Sequence, residues 1–323
     1  MNQIILATQQ GVVIDQRDQS AWQEAPRGLS NRNVTSITAR DGSILAGTEE
    51  GIFRSTDAGK HWEEASEGLT IRHVRWIAYH PAISDLVLAG TEPAGIFISQ
   101  NAGDSWRLCP EVAELRDKHR WSLPYSPEAG CVRGFAFHGS RVYAAVEVGG
   151  VLVSDDHGET WQLAEGSDGN PDFEGPPEPF VYPDVHSIEV HPSSSELVYA
   201  PTGGGFYRSD DGGRTWRLLY DCYCRAVWVD PDDSEHIILG PADYVDSNGR
   251  IEESYDGGQN WSLASNGLKV PWRRGMVERF FPTENELFAI LSNGQLFSAS
   301  PANLEWQRIL PNITGIHALT MMK

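Results

Sequence analysis

Short runs of apolar residues, each closed by a polar turn, follow one another along the whole chain in a repeating order. An inner run such as Val74–Tyr79 (VRWIAY) ends at His80-Pro81. A second run covers Leu86–Gly90, a third Gly95–Ser99, and a polar turn then leads into an outer run. The inner runs lie at Val34–Ala39, Val74–Tyr79, Val132–Phe137, Val185–Val190, Ala226–Val229, Met276–Phe281 and Ile316–Met321. Runs of this length bounded by turn residues predict strands. Seven units of four strands predict an all-β, seven-bladed β-propeller occupying residues 1–323 as a single domain. The last inner run has no outer strands of its own, and Gln3–Trp22 offers strands lacking an inner one. Pairing the two closes the ring and leaves no free sheet edge.

The polar turn is itself a repeat. Ser55–Trp62 (STDAGKHW), Ser99–Trp106 (SQNAGDSW), Ser154–Trp161 (SDDHGETW), Ser209–Trp216 (SDDGGRTW) and Ser254–Trp261 (SYDGGQNW) share one serine-to-tryptophan spacing, with Asn101 replacing the aspartate in the second. Degenerate copies end at Trp22 and Trp306. The seven tryptophans are separated by 40, 44, 55, 55, 45 and 45 residues, and the step from Trp306 round to Trp22 is 39. That last step matches the shortest period, as a closed ring requires. In such a turn the carboxylate accepts from turn amides, glycine takes a positive φ, and the indole packs beneath.

Composition narrows the partners. A net charge of -20 leaves no basic footprint for nucleic acid or an anionic membrane. No run of 18 apolar residues is present, so no membrane span is expected. The start MNQIILATQQG has neither basic n-region nor long apolar h-region, and four cysteines are too few for a disulfide scaffold. Both features point to the cytoplasm. No phosphate loop, dinucleotide fingerprint, H-x-H or H-E-x-x-H spacing is found, so neither a cofactor nor a metal is expected.

The two long periods place their extra residues between an outer and the next inner strand, at 109–131 and 164–184. These connections lie on the face opposite the polar turns, and long loops on one face of a rigid ring suggest a binding surface. Where the inner strands open toward that face, the position of Arg75 is filled in other units by Thr35, Arg133, His186, Arg225, Met276 and His317. Two residues earlier stand Asn33, His73, Cys131, Asp184, Tyr223, Arg274 and Gly315. The turns between second and third strands supply Glu49, Glu92 and Glu147. Arg75, Arg133 and Arg225 could clamp a carboxylate or phosphate bidentately. Glu92, Glu147, Asp184, His186 and Tyr223 could do acid/base or nucleophilic work. Glu49, His73 and His317 would line the site, with Trp121, Tyr125 and Phe180 covering it. The plainer reading of the same groups is ion pairing that holds the funnel shut.

These turns and their spacing resemble the BNR/Asp-box proteins of the sialidase-like superfamily over essentially the whole chain. They are similar to bacterial BNR-like repeat proteins labelled glycosyl hydrolases or exo-sialidases, and to the photosystem II assembly propeller of cyanobacteria and plastids. The sialidase resemblance implies Arg75, Arg133 and Arg225 as the carboxylate clamp, Tyr223 with Glu92 or Glu147 as nucleophile, and Asp184 as acid/base. This chain departs from sialidases in having seven blades rather than six and no N-terminal arginine motif. Two functions are expected to compete. One is a hydrolase- or lyase-like enzyme acting on a small anionic molecule in the funnel. The other is a non-catalytic assembly propeller that meets a protein partner through apolar residues of the insertions, among them Leu123, Phe173 and Tyr182.

Overall fold

The computed structural model describes residues 3–18, 21–123, 129–170 and 176–322, with backbone alone over 17–18 and 21–26. Its seven sheets each have four antiparallel strands. Blade 1 joins Ile316–Met321 to Gln3–Thr8, Gly11–Asp18 and Ala21–Gly28, with Ile4 opposite Met321 and Ala7 opposite Ala318, so the ring closes as the tryptophan spacing predicts. Blades 2 to 7 follow in chain order. Their inner strands are Val34–Arg40, Val74–Tyr79, Cys131–His138, Glu189–Val190, Tyr223–Asp230 and Val277–Pro282.

Second and third strands are sandwiched between neighbouring blades. Val87–Thr91, Gly95–Ser99 and Gly150–Ser154 are therefore buried at every residue and read as continuous apolar runs rather than alternating ones. Glycines in the second strands set the blade spacing. A Cβ on Gly47 would lie 2.7 Å from Val74 Cγ1, and one on Gly90 would lie 2.6 Å from Val132 Cγ1. The valine heading each of these inner strands thus rests on the backbone of the blade before it.

The Asp-box turns join third and fourth strands, as expected. In the box of blade 5, Ser209 Oγ accepts from the Gly213 amide at 2.8 Å and donates to Asp211 Oδ1 at 2.8 Å, while Oδ1 also accepts from the Thr215 amide at 2.9 Å. Asn101 reproduces this with its carbonyl oxygen, which accepts from Ser105 N at 2.9 Å, so the turn needs an oxygen acceptor and not a charge. Tryptophans then seal the blades in two ways. Trp161 Nε1 donates to its own Gly158 carbonyl at 3.0 Å, whereas Trp106 reaches Ala65 of the preceding blade at 2.9 Å.

Histidines at the ends of inner strands do more than fill turns. His80 Nε2 bonds the Gly139 carbonyl at 3.1 Å, His138 that of Pro192 at 3.2 Å, and His191 that of Asp230 at 3.0 Å. The same latch ties blades 3 to 4, 4 to 5 and 5 to 6.

The first insertion contains a helix, Pro110–His119, which strand-turn reasoning did not predict. Proline in its first turn loses no hydrogen bond, and Arg120 ends it in the left-handed region at φ 55°. Trp121 follows directly and corrects an expectation. It is 2% exposed and packs into the core between blades 3 and 4, and its Nε1 donates to the Gly169 carbonyl of the second insertion at 2.9 Å. The indole cross-links the two insertions from within the core. Leu123 is also buried, Phe180 and Tyr182 are half-buried, and Tyr125 and Phe173 lie outside the described residues.

Candidate functional site

Every blade carries one extra residue at the same place on its inner strand. Pairing with the second strand slips by one between Val34 and Ser36, Val74 and Trp76, Val132 and Gly134, Cys224 and Val227, Val277 and Arg279, and Ile316 and Ala318. Blade 5 slips between the Val185–Thr202 bridge and Glu189. Such a bulge bends the strand and re-aims a side chain. The bulge positions are Thr35, Arg75, Arg133, His186, Arg225, Glu278 and His317, a ring of seven around the channel. The sequence alignment put Met276 in blade 7, two residues early. Met276 is buried, and Glu278 is the residue of the ring that was missed.

Glu278 changes the electrostatics of the funnel. Its two oxygens are shared between Arg133 Nη2 and Arg225 Nη1, the latter at 2.7 Å. Arg133 Nη1 also donates to Glu147 Oε2 at 2.8 Å, and Arg75 Nη1 lies 3.1 Å from Glu92 Oε2. All three expected clamp arginines are therefore neutralised from inside the protein. Burial raises the Glu278 pKa, but Arg225 and Arg133 overcome it and hold the carboxyl well below the usual range. Arg225 looks to the next blade because its own blade offers no matching acid. Asp243, at the position nearest Glu92 and Glu147, pairs with Arg250 at 3.2 Å.

Asp184, His186 and Tyr223 do come together. His186 Nδ1 donates to the Cys224 carbonyl at 2.9 Å, and its Nε2 lies 3.2 Å from Asp184 Oδ2 and 3.3 Å from the Tyr223 hydroxyl. Arg225 donates to that hydroxyl at 3.1 Å. Burial outweighs Arg225 and pushes the phenol up to about 12. Its neighbour Glu147 accepts from the Cys131 thiol at 3.2 Å. His73 Nδ1 stands 3.9 Å from Glu92.

Two cavities meet at the neck of the channel, where Arg279 lines both. The one facing away from the Asp-boxes holds about 470 Å³ and is lined by Gln9, Asn33, Thr35, Glu49, Arg75 and His317 among others. Among the described residues, none from the insertions lines it. In the half of the funnel over blades 4 and 5, Arg133, Glu147 and His186 are buried. Burial lowers the His317 pKa in this cavity, opposed in part by Glu278 and Glu49. At the rim Glu49 is exposed, accepts from Asn33 Nδ2 at 2.8 Å, and has no cation in ion-pair reach among the described residues.

The larger cavity, about 690 Å³, lies at the Asp-box end, where no site was expected. Trp76, Tyr79, Phe280 and Phe281 line it together with Glu189. Glu189 is open to the lumen yet ringed by protein. Burial pushes it up to about 7, only partly opposed by Arg279. Arg279 stacks on Trp76 at 3.8 Å and donates to the Arg133 carbonyl at 2.9 Å. Burial and the nearby Arg133 charge lower it to about 9.

Comparison with known proteins agrees with this architecture. The BNR/Asp-box repeat model matches residues 152–163 and 207–218, the boxes of blades 4 and 5. A xyloglucanase of Hypocrea jecorina (strain QM6a) is 26% identical over 174 residues, covering 49% of this chain and 19% of that protein. An ancestral GH74 enzyme superposes with a TM-score of 0.63 at 19% identity, over 90% of this chain and 38% of the enzyme. YCF48 bound to D1 peptide superposes with a TM-score of 0.62 at 15% identity, over 91% of this chain and 88% of that one. The chain thus spans less than half of the first two relatives and most of the third. It is a seven-bladed β-propeller built on BNR/Asp-box repeats.

Proposed function

We propose that this propeller is a binding module that takes a basic side chain of a protein partner into the funnel beside Glu49. The observation that carries this reading is the neutralisation of Arg75, Arg133 and Arg225 by Glu92, Glu147 and Glu278. An anionic substrate would have to displace a buried carboxylate, and breaking such a pair costs about 3–5 kcal/mol. The charge left open is Glu49, with the Asn33 Oδ1 acceptor buried beside it without a hydrogen-bond partner. Acceptors ask for a donor, and a net charge of -20 steers a basic segment toward the chain. Tyr244 and Val245, 69% and 38% exposed in the loop between second and third strands of blade 6, add an apolar contact on the same face. The likeness along nearly the full chain to a propeller with a bound peptide supports the same reading.

The competing reading is a glycoside hydrolase. It is favoured by the xyloglucanase similarity and by the grouping of Glu147, Asp184, His186 and Tyr223. Against it, the 470 Å³ cavity has the His317 imidazole as the one ring among its described lining residues, a poor platform for stacking sugars.

Fluorescence anisotropy with a labelled lysine-rich peptide and an acidic control of equal length tests the proposal. Micromolar binding of the basic peptide, weakened at least tenfold by Glu49→Gln and by salt, is expected. Equal binding of both peptides, or none, would refute it, and release of reducing sugar from xyloglucan would favour the hydrolase.

A further inference from the structure

We propose that Glu147 of blade 4 with Asp184 and His186 of blade 5 forms a site for a divalent transition metal of the zinc class, clasping the two blades. One ligand atom from each residue lies within 4.8 Å of the other two. The His186 Nε2 to Asp184 Oδ2 distance of 3.2 Å already matches the edge between two ligands of an ion bound at about 2.1 Å.

The imidazole is oriented as a ligand would be. Nδ1–H is committed to the Cys224 carbonyl at 2.9 Å, which directs the Nε2 lone pair at the carboxylates. Metal-bound histidines are held in this way, through a backbone acceptor on the other nitrogen. The His186 side chain is fully buried, so lone pair and carboxylate face each other with no solvent between. Two acceptors at that distance repel unless a cation or a proton joins them.

Asp184 supplies a second sign. Its Oδ1 is buried and has no hydrogen-bond partner, a costly state for a carboxylate oxygen that a bound ion explains. Arg133 anchors Glu147 through Oε2 at 2.8 Å, as outer groups commonly orient a ligating carboxylate. The Tyr223 hydroxyl, 3.3 Å from Nε2, stands beside the remaining coordination position.

Charge and ligand type select the ion. Two carboxylates and a neutral imidazole carry two negative charges, and Arg133 already divides its charge between Glu147 and Glu278. A nitrogen ligand with two oxygens suits zinc, manganese or cobalt better than magnesium or calcium. The histidine and aspartate stand two residues apart at the entrance to a bulged inner strand, and Glu147 comes from the preceding blade, so the three form no H-x-H or H-E-x-x-H pattern. For that reason the sequence pattern predicted no metal.

The test uses the whole chain, stripped with a chelator and titrated with Zn²⁺ against a chromophoric competitor, then with Co²⁺ by visible absorption. The expected result is one zinc per chain at micromolar affinity or tighter, with a cobalt spectrum lacking the thiolate charge-transfer band. His186→Gln and the near-isosteric Asp184→Asn should each weaken zinc at least tenfold while the far-ultraviolet circular dichroism stays unchanged. Absence of stoichiometric uptake by the wild-type chain would overturn the proposal. So would uptake undiminished in both variants, which would assign the zinc to surface histidines. The cobalt spectrum is read on unmutated protein, so a variant that fails to fold leaves the test decisive.

Discussion

Arg225 of blade 6 and Glu278 of blade 7 meet at 2.7 Å, and each sits at the bulge of its own inner strand. A backbone irregularity repeated in every blade thus brings opposite charges from adjacent blades into contact across the channel. The contact both neutralises the arginines and joins the two blades.

Removing that carboxylate should be felt throughout the ring. Glu278→Gln leaves the buried Arg133 and half-buried Arg225 guanidiniums sharing a neutral amide, and is expected to cost about 3 kcal/mol at pH 7, read from the urea midpoint. The Glu278 pKa is depressed in the folded state. Its contribution is therefore present above the unfolded value, about 4.3, and is lost as pH falls through and below it. The gap between wild type and variant should begin to narrow below about pH 4.3 and close only as pH falls through the depressed folded value. A gap that stays constant from pH 7 to pH 3 would argue that the glutamate acts by shape alone.

Glu189 gives the opposite pH dependence. Its folded pKa is raised to about 7, so the folded state holds a proton that the unfolded chain releases near pH 4.3. Stability should fall as pH rises between those values and level off above pH 7. Glu189→Gln should match wild type at pH 4 and exceed it at pH 8 by about 1 kcal/mol, lumen water having screened much of the penalty. Melting temperatures at the two pH values check this, and equal melting at pH 8 would contradict it.

Trp121→Ala should separate insertion from funnel. Truncating a buried indole costs about 3–5 kcal/mol and cuts the tie to Gly169. Limited proteolysis should then cleave both insertions sooner. Binding at the 470 Å³ cavity, which no described insertion residue lines, should keep its affinity. A loss of affinity in the folded variant would restore Trp121 to the role first expected of it.

The ring was legible because it is written in spacing. Seven tryptophans and their wrap define seven blades without any side-chain detail. The pairings Arg75–Glu92 and Arg133–Glu147 were legible too, because each joins two repeat positions of one blade. Glu278 was not, since its partners come from other blades and the apolar match at Met276 shifted the alignment. A finer signal was present. Val34, Val74, Val132, Val185, Val277 and Ile316 each stand immediately before a bulge residue, and Val277-Glu278 fits that pattern. Trp121 was misread for a different reason. An aromatic residue in a long loop looks exposed until the second insertion, about 50 residues on, is seen to cover it. The cavity beside Glu189 was illegible because it belongs to no repeat position, being the space left where seven strand ends converge.

The seven bulges also separate two kinds of heredity in this molecule. Packing around the ring is carried by the residue before each bulge, β-branched in six blades and Cys224 in the other, resting on a glycine of the preceding blade at Val74, Val132 and Val277. The bulge residue itself answers to the channel alone. Threonine, arginine, histidine and glutamate all occupy it here without altering the strand. A lineage could therefore rewrite what its funnel recognises one blade at a time, keeping an unchanged wheel, and related propellers need share no ligand for their skeletons to coincide.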